Sequence, residues 1–358
     1  MRWIACIAVA ALLALGWIML QPVTLADPQL ELAVRDALSI QSRSIRCFDT
    51  LRLRALIAPD RTIASLDGLE AFRFLKTLDL TDNRIEDLSP LRALRQLETA
   101  ILRSNHISDA APLAELTRLT HLDLDFNFIE SASPFTHLTR LKWLGLWNSG
   151  IHDVQPLAGL TMLQELGLGG NPVSNPEALR TLEKLEWLGL PNTGISEIAF
   201  LREMKRLKKL SLGGNAIQDV SPLAELTQLE GLGLGGNKIT DIAPLRELIH
   251  LRRLSLWGNR IRDVSPLADM RQLEELWLDE NEVEDVSIVR DMHEIEVLGL
   301  SHTQVQNLDP LRDNAALGVG DEIDLRGIPV DWAVDSNANA AIQQLLNRGA
   351  VVLWDKAP

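Results

Sequence analysis

Leu226-Thr227-Gln228-Leu229-Glu230-Gly231-Leu232-Gly233-Leu234-Gly235-Gly236-Asn237-Lys238-Ile239-Thr240-Asp241-Ile242-Ala243-Pro244 is one turn of a pattern that fills most of the 358-residue chain. Its Asn position recurs every 22 residues as Asn83, Asn105, Asn127, Ser149, Asn171, Thr193, Asn215, Asn237, Asn259, Asn281 and Thr303. Leucines keep the same time ahead of it, so Leu75, Leu78 and Leu80 precede Asn83 as Leu229, Leu232 and Leu234 precede Asn237. A strict period of this length predicts stacked units that share one elongated core, with function on a surface instead of in a closed pocket.

Within each unit the alternating Leu-x-Leu reads as a short strand, leucines inward and their neighbours outward. The Asn ends that strand at a turn, where its amide can bond the backbone of adjacent turns and build a ladder through the interior. Losing one such buried partner should cost about 1–3 kcal/mol. Ser149, Thr193 and Thr303 keep a hydroxyl at that place and weaken the ladder without breaking it. Asp87, Asp109, Asp153, Asp219, Asp241, Asp263 and Asp285 recur further along. Ser89–Pro90, Ser133–Pro134, Ser221–Pro222 and Ser265–Pro266 are expected to supply a cap residue and a proline for a short helical turn.

These residues resemble the leucine-rich repeats of bacterial internalin-like proteins and related bacterial secreted repeat proteins, over about Asp27 to the C-terminus. The resemblance implies an α/β solenoid, a leucine-rich repeat horseshoe with a concave parallel β-sheet, short helical turns on the convex side and a cap at each end. It also implies protein–protein interaction with no activity of its own. Asp27-Pro28 and the following helix look like the N-terminal cap of the family, with Leu30, Leu32, Val34 and Leu38 on its apolar side. Residues 320–329, Gly-Asp-Glu-Ile-Asp-Leu-Arg-Gly-Ile-Pro, look like a common terminal unit. The family usually has Asn before that Pro; Ile328 stands there, so the ladder should stop earlier. A helix near Ala338–Asn347 and a strand over Val351–Trp354 would seal the end. The immunoglobulin-like module and cell-wall sorting tail of surface-anchored internalins are missing, which argues against a wall-attached invasin.

The expected divisions are therefore 1–26 as a leader, 27–66 as cap and degenerate repeat, 67–311 as about eleven repeats, and 312–358 as the C-terminal cap. Arg2, the apolar run Trp3–Leu20 and the small-residue stretch Thr24-Leu25-Ala26 have the layout of a secretory signal peptide, with cleavage after Ala26. Left uncut, the apolar run would be the chain's one contact with a membrane. Localisation is expected to be extracytoplasmic: secreted, periplasmic or in the cell envelope. Cys6 leaves with the leader, so Cys47 alone remains, no internal disulfide forms, and Cys47 is expected in the core of the cap. With 35 basic and 49 acidic residues the chain lacks the electropositive track of a nucleic-acid binder.

The solvent-facing strand positions lie two, four and six residues before each ladder position. Five of the seven tryptophans beyond residue 26 fall there: Trp143, Trp147, Trp187, Trp257 and Trp277. They alternate with glycines such as Gly231, Gly233 and Gly235. Glycine is a poor strand residue and exposed tryptophan costs solubility, so their mixture on one face points to a groove with a glycine floor and indole walls. The competing explanation is that the aromatics pack on one another and cover the glycines. Trp143, Trp147 and Trp187 are expected to cluster, and Trp257 with Trp277. Trp187 and Trp257 should stand about 14 Å apart, three strand spacings.

Lys209 and Arg253 flank the glycine floor and could meet an anionic ligand. His121, Asp123 and Asp125 share one strand face and could be drawn as a metal or acid–base site, but on an open surface beside Arg103 they read better as a solvated charge network. No phosphate-cradling loop, zinc pattern or nucleophile elbow occurs, so no catalysis, cofactor or metal is expected. The leading function is a monomeric protein that binds a protein or peptide ligand on the concave face. A glycan-binding module using the same tryptophans is the alternative. An enzyme built on His121, Asp123 and Asp125, or a dimer through the tryptophan face, follow behind.

Overall fold

In the computed structural model, residues 17, 19–332 and 336–355 are described; residues 1–16 and 18 of the expected leader, Cys6 included, lie outside them. The chain folds as two compact units, one ending at Gly167 and the other beginning at Leu168. Among the described residues no helix is long and apolar enough to cross a membrane.

The first unit opens with helix α1, Pro28–Leu38. One oxygen of Asp27 accepts the N–H groups of Gln29 and Leu30 at 2.8 and 3.1 Å, and the other accepts those of Ala64 and Ser65 at 2.8 and 3.3 Å. A single carboxylate thus caps the helix and ties it to the first repeat. Leu30, Ala33, Val34 and Leu38 are buried. Leu32, expected on that side, is 45% exposed. The spacing of Leu30, Val34 and Leu38 is four residues, which keeps them in one row, and a step of two turns Leu32 about 200° away. Cys47 is half-buried, so it edges the cap instead of filling its core. Beside it Asp49 is fully buried and accepts both guanidinium nitrogens of Arg43 at 2.6 Å and the Arg46 N–H at 2.9 Å.

The residues just ahead of α1 belong to the same packing. Phe48 N–H donates to the Met19 carbonyl (3.1 Å), Cys47 N–H to Gln21 (2.9 Å), Val23 N–H to Ile45 (2.9 Å) and Ala26 N–H to Asp67 (3.1 Å). Leu25 is 4% exposed. A Cβ on Gly68, whose φ is +96°, would lie 2.2 Å from the Thr24 carbonyl oxygen, so only glycine fits under this segment.

Six three-residue strands follow in the first unit: β1 Ala55–Ile57, β2 Thr77–Asp79, β3 Thr99–Ile101, β4 His121–Asp123, β5 Trp143–Gly145 and β6 Glu165–Gly167. The second unit carries β7 Trp187–Gly189, β8 Lys209–Ser211, β9 Gly231–Gly233, β10 Arg253–Ser255, β11 Glu275–Trp277, β12 Val297–Gly299, β13 Glu322–Asp324 and β14 Val351–Leu353. Within each unit every strand pairs in parallel with the next. The central residue of each, such as Leu78, Leu122 or Leu232, is buried, and its neighbours lie on the opposite face, where Gly145, Gly167, Gly189 and Gly299 are covered and the others half-buried or exposed. The α/β solenoid of the repeat pattern is the architecture observed, with 3-10 turns as its helical component.

The ladder amides repeat one set of bonds. Asn105 accepts the Ile85 N–H at 3.0 Å and donates to the carbonyls of Leu80 and Leu102 at 2.9 and 3.0 Å. Asn83 and Asn127 do the same in the first unit, as do Asn237, Asn259 and Asn281 in the second. Asn171 donates to the Leu168 carbonyl at 2.8 Å. Asn215 differs at its acceptor, which takes the Thr193 N–H and hydroxyl at 3.0 and 3.1 Å. Thr303 donates only upward, to Leu300 at 2.7 Å, and Ile328 sits in a unit without an amide, as the substitution of Ile before Pro329 predicts.

The caps of the 3-10 turns are not the serines that precede proline; at Ser133 the accepting side chain is Ser131, at 3.2 Å, and elsewhere an aspartate takes that place. Asp87 accepts the Ser89 N–H at 2.8 Å, and Asp109, Asp153, Asp219, Asp241, Asp263 and Asp285 repeat that bond to the residue two ahead at 2.8 or 2.9 Å. The aspartate closes an Asx turn and leaves Ser as the first turn residue. At the far end α2, Asp309–Asp313, and α3, Asn337–Asn347, cover the last leucines, with Ser336 capping α3 through the Asn339 N–H at 3.1 Å. Asn314, fully buried, donates to the Val289 and Met292 carbonyls at 2.8 Å.

Leu232 is 3% exposed in the middle of the second unit. Leu232→Asp places a charge in a shared core and should cost more than about 4 kcal/mol, whereas exposed Lys238→Ala should stay within about 0.5 kcal/mol. Thermal melts of the two variants check this; a wild-type melt for Leu232→Asp would contradict the inward placement.

Candidate functional site

The outward strand residues form rows that follow the register. In the second unit one row reads Trp187, Lys209, Gly231, Arg253, Glu275, and the next reads Gly189, Ser211, Gly233, Ser255, Trp277. Each row falls at one fixed point of the 22-residue unit, two residues from the other, so the repeat itself brings them side by side. Trp187 and Trp277 stand at opposite corners of an open groove of about 220 Å³, and Lys209, Ser211, Gly231, Gly233, Arg253 and Ser255 line the space between. β7 and β11 are four strand spacings apart, about 19 Å, the reach of roughly six residues of extended chain.

The glycines of this unit do two different things. A Cβ on Gly231 would meet only Lys209 Cγ at 3.7 Å, and on Gly233 nothing nearer than Ser211 Oγ at 3.6 Å. Packing does not demand glycine at either place. On Gly235 the same atom would lie 2.2 Å from Trp257 Nε1, because the indole of Trp257 lies flat on that backbone. Trp257 is nevertheless 46% exposed, one face seated and the other open to solvent. It is a platform beside the groove, which pairs Trp187 with Trp277.

In the first unit the tryptophan next to a glycine behaves as Trp257 does. A Cβ on Gly145 would come within 2.5 Å of the Trp143 ring and 2.8 Å of Asp125 Oδ1. Asp125, 5% exposed, accepts the Trp147 N–H at 2.7 Å through that oxygen, and Arg103 Nη1 lies 3.4 Å from the other. The Arg103 guanidinium also stands 4.8 Å from the centre of the Phe126 ring. Asp123 accepts the Asp125 N–H at 3.0 Å, and His121 Nδ1 is 2.9 Å from the Thr120 hydroxyl. Each of the three is engaged by a neighbouring hydroxyl, N–H or guanidinium, and among the described residues no group of His, Cys, Asp and Glu could hold a metal ion.

The sequence singled out the tryptophans, Lys209 and Arg253. It gave no weight to Ser211 and Ser255, whose hydroxyls reach the groove floor, or to Asp125 as a buried group under Trp147. Only the outward parity of Ser211 and Ser255 beside Gly233 could have drawn attention to them.

Burial pushes the Asp125 carboxyl up to about 6, and the charge of Asp123 adds to the rise, against the Trp147 N–H and Arg103. Burial also raises Asp123. An aspartate in the unfolded chain titrates near 3.9, so the folded state holds this proton more tightly and the contribution of Asp125 to stability falls as pH rises from about 4 to 6. Asp125→Asn removes that fall. The melting temperature of the variant minus that of the wild type should climb across this window, by the equivalent of roughly 1–3 kcal/mol, and then level off. A difference independent of pH would place the Asp125 carboxyl at its ordinary value.

Models of leucine-rich repeats match residues 73–88, 95–137, 205–247, 227–269 and 249–291. No curated protein matches the sequence. Among solved structures, an internalin (InlF) of Listeria monocytogenes is 29% identical over 82% of this chain and 94% of its own, with a TM-score of 0.72. A leucine-rich repeat protein of Leptospira interrogans, 19% identical over 82% of this chain and 81% of its own, has a TM-score of 0.69 and shares the fold. A TDR receptor does likewise at 21% identity, covering 87% of this chain and 57% of its own, with a TM-score of 0.68. With its 22-residue period, its amide ladder and its capping aspartates, the chain is a bacterial leucine-rich repeat protein of the internalin-like type.

Proposed function

We propose that this protein is an extracytoplasmic binding protein that takes a protein or peptide ligand on the strand face of its second unit, in the groove between Trp187 and Trp277, without catalysing a reaction. Internalin-type repeats are protein-interaction modules, and the apolar run Trp3–Leu20 behind Arg2 fits export. The observation that carries the reading is the floor. Gly231 and Gly233 could each be any small residue without a clash, and glycine weakens a strand, so folding gives no reason for them. A chain laid against the sheet does: it can approach the backbone there and press its side chains on the two indoles. Buried aromatic anchors of this kind contribute about 2 kcal/mol or more each to binding.

Gly233→Val fills the floor while keeping a good strand residue, and should leave stability within about 0.5 kcal/mol of wild type. In a comparative pull-down from envelope extract, a specific protein retained by the wild type and by Lys238→Ala should be lost from Gly233→Val and from Trp187→Ala/Trp277→Ala. A partner held equally by all four would move the site elsewhere. Retention of glycans on an array, lost in the same variants, would favour the carbohydrate reading instead. Gly235→Ala is the internal contrast: it should displace Trp257 and change the fluorescence of the free protein.

A further inference from the structure

The groove is apolar at its corners, yet two cations face it. Lys209 of β8 and Arg253 of β10 both lie in register with Gly231 of β9, so their backbones are two strand spacings, about 10 Å, apart with no side chain between them. Both are exposed, and among the described residues neither makes an ion pair or a side-chain hydrogen bond. Three bases close by on the flank are paired: Lys205 by Glu225, Lys208 by Glu186 at 2.8 Å, and Arg252 by Glu274. Glu275 follows Arg253 in the row without pairing to it. On a chain with a formal net charge of −14, two cations without an ion pair thus stand on either side of a bare glycine, Arg253 feeling Glu274 only at longer range.

We propose that Lys209 and Arg253 form a carboxylate-binding subsite of the groove. The ligand's carboxylate lies over Gly231, taking paired N–H donors from the planar guanidinium and a point charge from the ammonium. Ser211 and Ser255, in the adjoining row, are placed to donate to its peptide carbonyls. The side chains next to the acidic group rest on Trp187 or Trp277. This inference rests on the peptide-binding reading and gives it a chemical class: a peptide segment carrying an Asp or Glu side chain, or a free C-terminus.

Random octapeptides, prepared once as free acids and once as C-terminal amides, are passed over the immobilised protein, and the retained sequences are read by mass spectrometry. Wild type should enrich acidic peptides by at least about tenfold over Lys209→Met/Arg253→Met, the effect of losing one charge-assisted contact. The double variant should still retain peptides rich in apolar and aromatic residues. Lys205→Met/Lys208→Met should keep the acidic enrichment. Retention that is lost from the amide pool assigns the carboxylate to the C-terminus; acidic enrichment that survives there assigns it to Asp or Glu. Retained peptides with neither acidic enrichment nor dependence on the free C-terminus, or a preference that the groove variant keeps, would overturn the subsite and leave peptide binding standing. Retention of no peptide would overturn both.

A separate observation bears on how the chain is processed. Met19–Ala26 supplies two carbonyls and two N–H groups to the cap, buries Leu25, and lies over Gly68 so closely that no Cβ fits. Cutting after Ala26 would strip this segment and leave the paired groups of Ile45, Cys47, Phe48 and Asp67 without partners. We infer that any peptidase cut lies at or before Met19, so that Met19–Ala26 stays with the folded protein. Intact-mass measurement of the full chain after export from a bacterial host tests this. A mass that includes residues 19–26 is expected, and a chain beginning at Asp27 would overturn the inference.

Discussion

Everything outward in this protein depends on how the turns inside it are satisfied. Each strand has only three residues and each 3-10 turn a few more, so a single unit leaves most of its backbone polar groups to be paired by its neighbours. The amide of Asn105 does this with one side chain, accepting from the unit before it and donating both to that unit and to its own strand. A buried amide with every donor and acceptor engaged holds its position tightly, because a displaced one would leave several groups unpaired at about 1–3 kcal/mol each. Among the described residues no buried side-chain nitrogen or oxygen lacks a partner.

That internal closure frees the strand face from any duty to the core. Leucines carry the burial and amides carry the polar bookkeeping, so outward residues are constrained by little beyond strand propensity. Where the outward residue is nevertheless glycine, two physical causes separate. Gly235 is required by the indole of Trp257 lying on it. Gly231 and Gly233 are required by nothing in the protein, and the space above them, bounded by Trp187 and Trp277, is the groove. The same reasoning distinguishes the charges. Flank residues such as Lys208 form an ion pair with a carboxylate on a neighbouring unit, while among the described residues Lys209 and Arg253 form none.

The periodic features were legible because they depend on spacing alone. Leucine parity, the Asn positions, the terminal helix and the last strand all follow from residue type at a fixed interval, and the structure places them within a residue or two. What escaped was set by contacts between positions far apart or by local competition. Ser89 and Asp87 are both capping residues, and only backbone geometry decides that the aspartate closes the turn. Leu32 looked inward because it is apolar, although the helical period turns it out. Asp49 with Arg43, and Asn314 under α3, are buried polar groups whose partners no repeat announces. On the candidate site, parity identified the tryptophans but not their partners: Trp187 shares its groove with Trp277, while Trp257 is seated beside it.

The central claim is that the strand face of the second unit is a binding surface and not a self-covered one. Hydroxyl-radical footprinting of the intact protein, alone and with envelope extract, reads it residue by residue. The account predicts that Trp187 and Trp277 are oxidised readily in the free protein and protected by the extract, while Met162 and other exposed groups of the first unit change little. Oxidation of both tryptophans that is already slow in the free protein, or that the extract leaves unchanged, would contradict it.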